Sequence, residues 1–269
     1  MIANPPRVAV LIACHNRVAM TIRSLTALAQ AADGIDYDVF IVDDGSTDGT
    51  TEVVRTSFPH SHVIQGNGKL FWAKSMRLAW EVAAAHCDYD HYLWLNDDLI
   101  LKPRSINDAL VDQQRLKGVV VGACSEDPSE STCSYGATDA NDKLIIPSGK
   151  PQMANGWLNG NFVLIPRDIF KKVGYISNDY AHARADYDYA ERLKKIGAPF
   201  YCSSHYVGIC HNDSMKQIEG KSIIQRIGLL WAHGYYNMHD LWLIRSRHHG
   251  RFRALISCLH LIWIVIKGA

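Results

Sequence analysis

Residues 8–13, Val-Ala-Val-Leu-Ile-Ala, form an unbroken apolar run behind Arg7, the pattern of a parallel strand buried on both faces. Ile22, Leu25, Leu28 and Ala29 then recur at helical spacing, and a second apolar run covers 37–42. These predict β-α-β with both strands in one sheet, because the crossover between parallel strands is right-handed. The alternation continues through Val63-Ile64, a helix over 73–85 and a strand over 92–95. The first hundred residues therefore read as a nucleotide-binding half-sheet.

Beyond Arg104 the pattern loosens. A helix running to Leu116 and a strand at 119–121 precede a polar stretch from Ser125 to Lys150, which is expected to be irregular and to face substrate. Residues 162–165 followed by Pro166 read as a strand and a helix start, since proline is tolerated in a first helical turn. A further helix is predicted over 186–196, stopped by Gly197 and Pro199. No repeat, low-complexity tract or Gly/Ser/Pro linker divides the chain. One catalytic domain is expected over 1–215, with a nucleotide-binding half (1–100) and an acceptor-binding half (101–215). A C-terminal helical extension follows over 216–269.

Composition narrows the partners. Lys+Arg 28 against Asp+Glu 27 leaves a net charge of +1, so no global field points to nucleic acid, and any anion site must be built locally. The 7 cysteines are odd in number and lack CxxC spacing; they fit neither a disulfide framework nor a zinc ribbon and point to a reducing cytoplasm. Residues 1–6 lack a basic segment leading into an apolar core, so no signal peptide is expected. The apolar run 254–266 is shorter than the ~20 residues a membrane-crossing helix needs.

Three acidic segments fall at strand or helix ends. Asp43-Asp44-Gly45-Ser46 follows the second strand, where carboxylates could accept from a ribose hydroxyl or a base N–H; the plainer alternative is a turn whose Ser46 or Thr47 caps a helix. Asn96-Asp97-Asp98 ends another strand. Two adjacent carboxylates repel unless a cation intervenes, and a hard divalent ion carrying a diphosphate supplies one; the alternative is a solvated turn. Asp186-Tyr187-Asp188 opens a helix, as a general base on a rigid mount or as an N-terminal acid favoured by the helix dipole. His211, behind the apolar segment 206–209, offers an imidazole to a metal or a phosphate, or is structural. Trp157-Leu158-Asn159-Gly160 sets an indole beside a backbone open to close approach, for a sugar face or for core packing.

In this order the motifs resemble family 2 glycosyltransferases of the GT-A fold over roughly residues 7 to 213. The series is Ala13-Cys14-His15-Asn16-Arg17, then Asp43-Asp44-Gly45-Ser46, Gly66-Asn67-Gly68, Asn96-Asp97-Asp98 and Asp186-Tyr187-Asp188. The resemblance implies an α/β fold with a Rossmann-like, mostly parallel central sheet flanked by helices, and a C-terminal helical appendage. It implies an inverting, metal-dependent transfer from a nucleotide-sugar donor to a saccharide or lipid-linked acceptor in bacterial cell-surface polysaccharide synthesis.

The same resemblance assigns donor binding to Ala13, His15, Asn16, Arg17 and Asp43, with Asp44, Gly68, Asn96 and Asp97 in the matched motifs; Lys69 beside Phe71-Trp72 could border the donor, and Arg77, where many relatives carry small residues and an asparagine, could meet the diphosphate or cap a surface. It assigns the Mn2+ or Mg2+ site to Asp98 with His211, the base to Asp186 with support from Asp188 and Arg192, and the acceptor floor to Trp157, Asn159 and Gly160. Ala185 stands where the family commonly has glutamate. A sugar-phosphate nucleotidylyltransferase is the competing enzyme class, although Cys14-His15-Asn16-Arg17 lacks the glycine-rich basic loop expected of one. A non-catalytic sugar-binding protein is the other alternative.

Arg245, Arg247, His248, His249, Arg251 and Arg253 precede the apolar run, and Lys267 follows it. Basic residues flanking an apolar helix suit an anionic membrane interface, which would hold the protein at the inner face of the plasma membrane; packing on the body or on a homodimer partner is the alternative.

Overall fold

The computed structural model describes residues 6–180, 182–212, 218 and 220–268. Residues 1–5, which carry most of the signal-peptide reading, and Asp213, where the family resemblance ends, lie outside this set.

The first half alternates as its apolar pattern predicts: β1 (Arg7–Cys14), α1 (Val18–Ala31), β2 (Asp36–Asp43), α2 (Thr50–Ser57), β3 (His62–Gln65), α3 (Phe71–His86) and β4 (His91–Leu95). The second half contains β5 (Ile100–Leu101), α4 (Ser105–Leu116), β6 (Val119–Ser125), β7 (Cys133–Tyr135), β8 (Gln152–Ala154), β9 (Phe162–Pro166), α5 (Arg167–Val173), α6 (Ala185–Lys195) and β10 (Phe200–Ile209). Three helices close the chain: α7 (Ile223–Gly228), α8 (Met238–His249) and α9 (Arg251–Lys267).

All ten strands share one sheet in the order β3-β2-β1-β4-β9-β6-β10-β5, with β7 on β6 and β8 on β10. β1 to β4 are parallel, and β9 runs antiparallel to both β4 and β6. β6 and β10 therefore point with the first four. The chain order reverses at β1, which has β2 on one side and β4 on the other, and ligands bind beyond the strand ends at such a switch point.

Strand alternation sorts the core into two layers. Ala9 and Leu11 face one side with Met76 and Trp80 of α3 and Tyr189 of α6. Val8, Val10 and Ile12 face the other with Leu25 and Leu28 of α1 and Ile106 of α4. Both faces are dry, so β1 has no polar alternation; each fully buried Leu, Ile or Val contributes about 1.5–3 kcal/mol. The final helices add a third, smaller cluster around Leu230, Leu241, Cys258, Leu261 and Val265. Ile244 of α8 joins the main core, and α8 packs against α6.

Candidate active site

Cys14, Asp43 and Leu95 end β1, β2 and β4 on one edge of the sheet. Because β9 runs the other way, its beginning, not its end, lies on that edge: Phe162 pairs with Leu95. Residues 159–161 are thereby brought beside 96–98, and Asn96 N donates to the Asn161 carbonyl at 3.0 Å.

The loops that follow β1, β2 and β3 are knitted together. Asn16 N donates to Ser46 Oγ at 2.8 Å, Thr47 N donates to Asn16 Oδ1 at 2.7 Å, and His15 Nδ1 lies 2.8 Å from the Asp44 carbonyl. Asp43 is buried and accepts from Ser46 N at 2.9 Å and from the Thr51 hydroxyl. The Asp44 carboxylate accepts three backbone N–H groups, from Gly68, Leu70 and Phe71, each at 2.8 Å. It organises the turn from Gly66 to Phe71 much as an anion fills a backbone nest. A Cβ on Gly66 would lie 2.6 Å from Asp44 Oδ1, so glycine is what allows this approach.

Asp97 and Asp98 share one cation. Arg17 Nη1 lies 3.0 Å from Asp98 Oδ2 and 3.4 Å from Asp97 Oδ1. Asp97 is buried and also accepts from Thr21 Oγ1 at 3.3 Å. Burial raises its pKa to about 6, opposed by Arg17 and reinforced by Asp98. Asp98 is more open, and Cys210 Sγ stands 3.6 Å from its Oδ1. Two carboxylates held against a guanidinium are an oxygen donor set suited to a hard divalent cation. Among the described residues no group of three or more His, Cys, Asp or Glu could hold a metal. His211 turns its Nδ1 toward Glu126 at 3.4 Å.

Asn96 explains its own identity. Its Oδ1 accepts from Trp72 Nε1 at 2.8 Å while its Nδ2 donates to Asn161 Oδ1. An aspartate could not do both. Trp72 in turn lies against Gly160, where an added Cβ would sit 2.4 Å from the indole.

On the other flank of that indole, Gly160 N donates to Asp186 Oδ2 at 3.1 Å and Tyr187 N donates to Asp186 Oδ1 at 2.9 Å. Burial is the main influence on Asp186 and raises its pKa to about 6, against the two backbone donors and Arg184. A carboxylate with that pKa is ionised near neutrality and is a stronger proton acceptor than an ordinary aspartate.

The profile of Glycosyl transferase family 2 matches residues 9–188, which holds every strand end just described. The chain belongs to glycosyl transferase family 2. The mannosyltransferase PcManGT from Pyrobaculum calidifontis, solved with GDP-Man and Mn2+, aligns at TM-score 0.59 and 15% identity, covering 99% of this chain and 73% of that one. Residues 1–349 of S. aureus TarS align at TM-score 0.55 and 12% identity, covering 97% and 81%. Identities this low speak for the fold alone, an α/β GT-A architecture. A comparison with curated protein sequences returns no match.

Other residues singled out in this glycosyltransferase have structural partners. Asp188 is fully buried and accepts from His248 Nε2 at 2.8 Å, Arg192 Nε at 2.9 Å and Arg247 Nη1 at 3.2 Å. Burial alone would raise its pKa, but the hydrogen bond from His248 and the charges of Arg192 and Arg247 outweigh it and hold the carboxyl below its ordinary value. Arg192 also donates to the carbonyls of Val173 and Tyr175. Arg77 pairs with Glu81 and donates to the Ile176 carbonyl, away from Asp97 and Asp98. Lys69 is exposed, and its backbone N–H bonds Asn67.

Trp157 stacks on Tyr187 at 4.9 Å between centroids, with Lys194 Nζ 5.1 Å and Arg245 Cζ 5.5 Å from its ring. Asn159 bonds the Gly136 carbonyl through its N–H and accepts from Asn161 N. Thr21 and Cys210 touch the acidic cluster without having been read as site residues, and Asn161, the last residue of the Trp157-to-Asn161 segment, reaches it through Asn96 and Cys210. Of the first two, only Thr21 left a signal, one helical turn after Arg17 on the same face of α1.

Proposed function

We propose that this glycosyltransferase moves a sugar from a nucleotide-sugar donor to a saccharide or lipid-linked saccharide acceptor in cell-surface polysaccharide synthesis, with inversion at the anomeric carbon. The observation that carries the reading is the placement of Asp186, a carboxylate with its pKa raised to about 6, beside the strand end that carries Asp97 and Asp98: Gly160 N bonds Asp186, Gly160 lies against Trp72, and Trp72 bonds Asn96. Family membership selects glycosyl transfer over the nucleotidylyltransferase alternative.

In this reading Asp186 takes the proton from the acceptor hydroxyl as it attacks, and Gly160 N–H aims the carboxylate. The loop Ala13, His15, Asn16 and Arg17 with Asp43 borders the nucleoside, while Asp44 holds Gly68 in place beside it. Asp98, with Asp97 as the second candidate and His211, which follows the Cys210 that contacts Asp98, would hold Mn2+ or Mg2+. When bound, that ion supplies positive charge against the departing diphosphate. Asn159, Gly160 and Trp157 form the acceptor side. Residues 1–215 would be the catalytic unit and 216–269 an extension that places the enzyme at the inner face of the plasma membrane.

The test combines calorimetry and turnover. Asp186→Asn should bind nucleoside diphosphate with Mn2+ as the parent does while losing transfer by about a hundredfold or more. Asp98→Ala should lose the Mn2+-dependent part of diphosphate binding. Retained transfer in Asp186→Asn removes the base assignment. Donor binding with neither transfer nor hydrolysis in the parent would return the chain to the non-catalytic reading.

A further inference from the structure

Helix α9 is apolar on two opposite faces, and only one of them is covered. Ala254, Cys258, Leu261 and Val265 are buried in the small C-terminal cluster. Phe252, Leu255, Ile256, Leu259, Trp263 and Ile266 are between 46% and 76% exposed. At about 100° per residue, those six fall within an arc of about 100° on the far side of the helix. Such a stripe on a helix of 17 residues is about 25 Å long. Beside it, Arg226 of α7 reaches the Ile266 carbonyl, and Ile223, Ile224 and Ile227 of α7 are exposed as well.

Charge decides between occupants. Residues 220–268 carry seven Lys and Arg against one acid, the buried Asp240. Arg245 and Arg247 are engaged inward, on Trp157 and on Asp179 and Asp188, so the sequence expectation of a basic flank over 245–253 shrinks. Arg253, exposed His260 and Lys267 fall along one edge of the apolar arc by the same spacing. A second copy docked antiparallel on this face would set the cationic edge against its own like charge. An anionic bilayer complements it, and α9 lies flat because no helix among the described residues is long and apolar enough to cross a membrane.

We infer that the exposed stripe of α9, with the α7 isoleucines beside it, docks this protein on an anionic lipid surface. The inference deepens the acceptor side of the proposed function. Vesicle binding is read without donor or turnover, so its failure is distinct from failure of the transferase reading.

The experiment is co-sedimentation of the full chain with phosphatidylglycerol or phosphatidylcholine vesicles. The parent should sediment with the anionic vesicles and be released as salt rises from about 0.1 M to about 0.5 M. Leu259→Glu with Trp263→Glu should weaken binding at least about tenfold. Arg253→Glu with Lys267→Glu should do so on phosphatidylglycerol alone. All four positions face solvent, so both variants should keep the parent's melting temperature and nucleoside-diphosphate binding. A parent that stays in the supernatant overturns the inference, as does Leu259→Glu with Trp263→Glu partitioning like the parent. So does a soluble dimer by light scattering that this double variant dissolves while no form binds vesicles.

Discussion

Asp186→Asn tests the desolvation of the proposed base without reference to turnover. Burial raises the Asp186 pKa from 3.8 to about 6, a difference of about 2 pH units at about 1.4 kcal/mol each, or about 3 kcal/mol. The carboxylate is not wholly shut off from water, which reduces the expected effect to about 1–3 kcal/mol. The sign follows from proton binding. The folded state holds the proton more tightly than the unfolded one, so this group's contribution is complete below about pH 4 and is lost as pH rises through about 6.

Asparagine does not titrate there. It leaves one of the two backbone donors, Gly160 N or Tyr187 N, poorly matched, a fixed cost of about 1–3 kcal/mol. That offset cancels when variant and parent are compared by urea unfolding across pH 4 to 8. The variant should gain about 1–3 kcal/mol on the parent over that range. A flat difference, or one that moves the other way, would falsify the claim that Asp186 is desolvated, and its tuning as a base would go with it.

Three further outcomes are expected. Asp44→Ala orphans three backbone donors in the Gly68–Phe71 turn and should cost about 2–4 kcal/mol in urea unfolding, with weaker nucleotide binding. Gly160→Ala forces a methyl into the Trp72 indole; transfer should fall by about a hundredfold while nucleoside-diphosphate binding changes little, since the donor N–H to Asp186 moves. Asp188→Asn leaves Arg192, Arg247 and His248 without their shared carboxylate and should cost about 3–5 kcal/mol at neutral pH. Because the Asp188 pKa is depressed, that cost should shrink as pH falls below about 4, where the unfolded parent takes up a proton that the folded one binds only at still lower pH.

The parallel half of the fold is visible in the sequence because β1, β4 and the second half of β2 are dry on both faces and are written mainly in Val, Ile, Leu, Ala and aromatic residues. The direction of β9 is not visible: Phe162-Val163-Leu164-Ile165 would read identically in a parallel strand, and only its pairing with β4 and β6 reveals the reversal. α2 enters the sequence reading only as a helix that Ser46 or Thr47 would cap, and its cap is instead Gly49; Thr50, Thr51, Val53 and Val54 are β-branched and favour strands by propensity. At the site, the ends of β1, β2 and β4 fix where Arg17, Asp43 and Asp98 stand. What each side chain does depends on partners far along the chain: Asp44 on the turn after β3, Asn96 on Trp72 and Asn161, Asp188 on His248 and Arg247. A turn acid, a ligand and an internal anchor share one letter, and only the arrival of those partners separates them.

The reversed β9 also makes residues 96–161 a closed excursion. The chain leaves the sheet edge at Leu95 and is stitched back to the same residue at Phe162, so the separation of Asp98 from Gly160 is set by the ladder rather than by what lies between. Outward turns such as 127–131 and 139–143 can then change length or be exchanged at little entropic cost. For an engineer, the length of those turns becomes a free variable, and Asp98 and Gly160 stay in register whatever turn is installed.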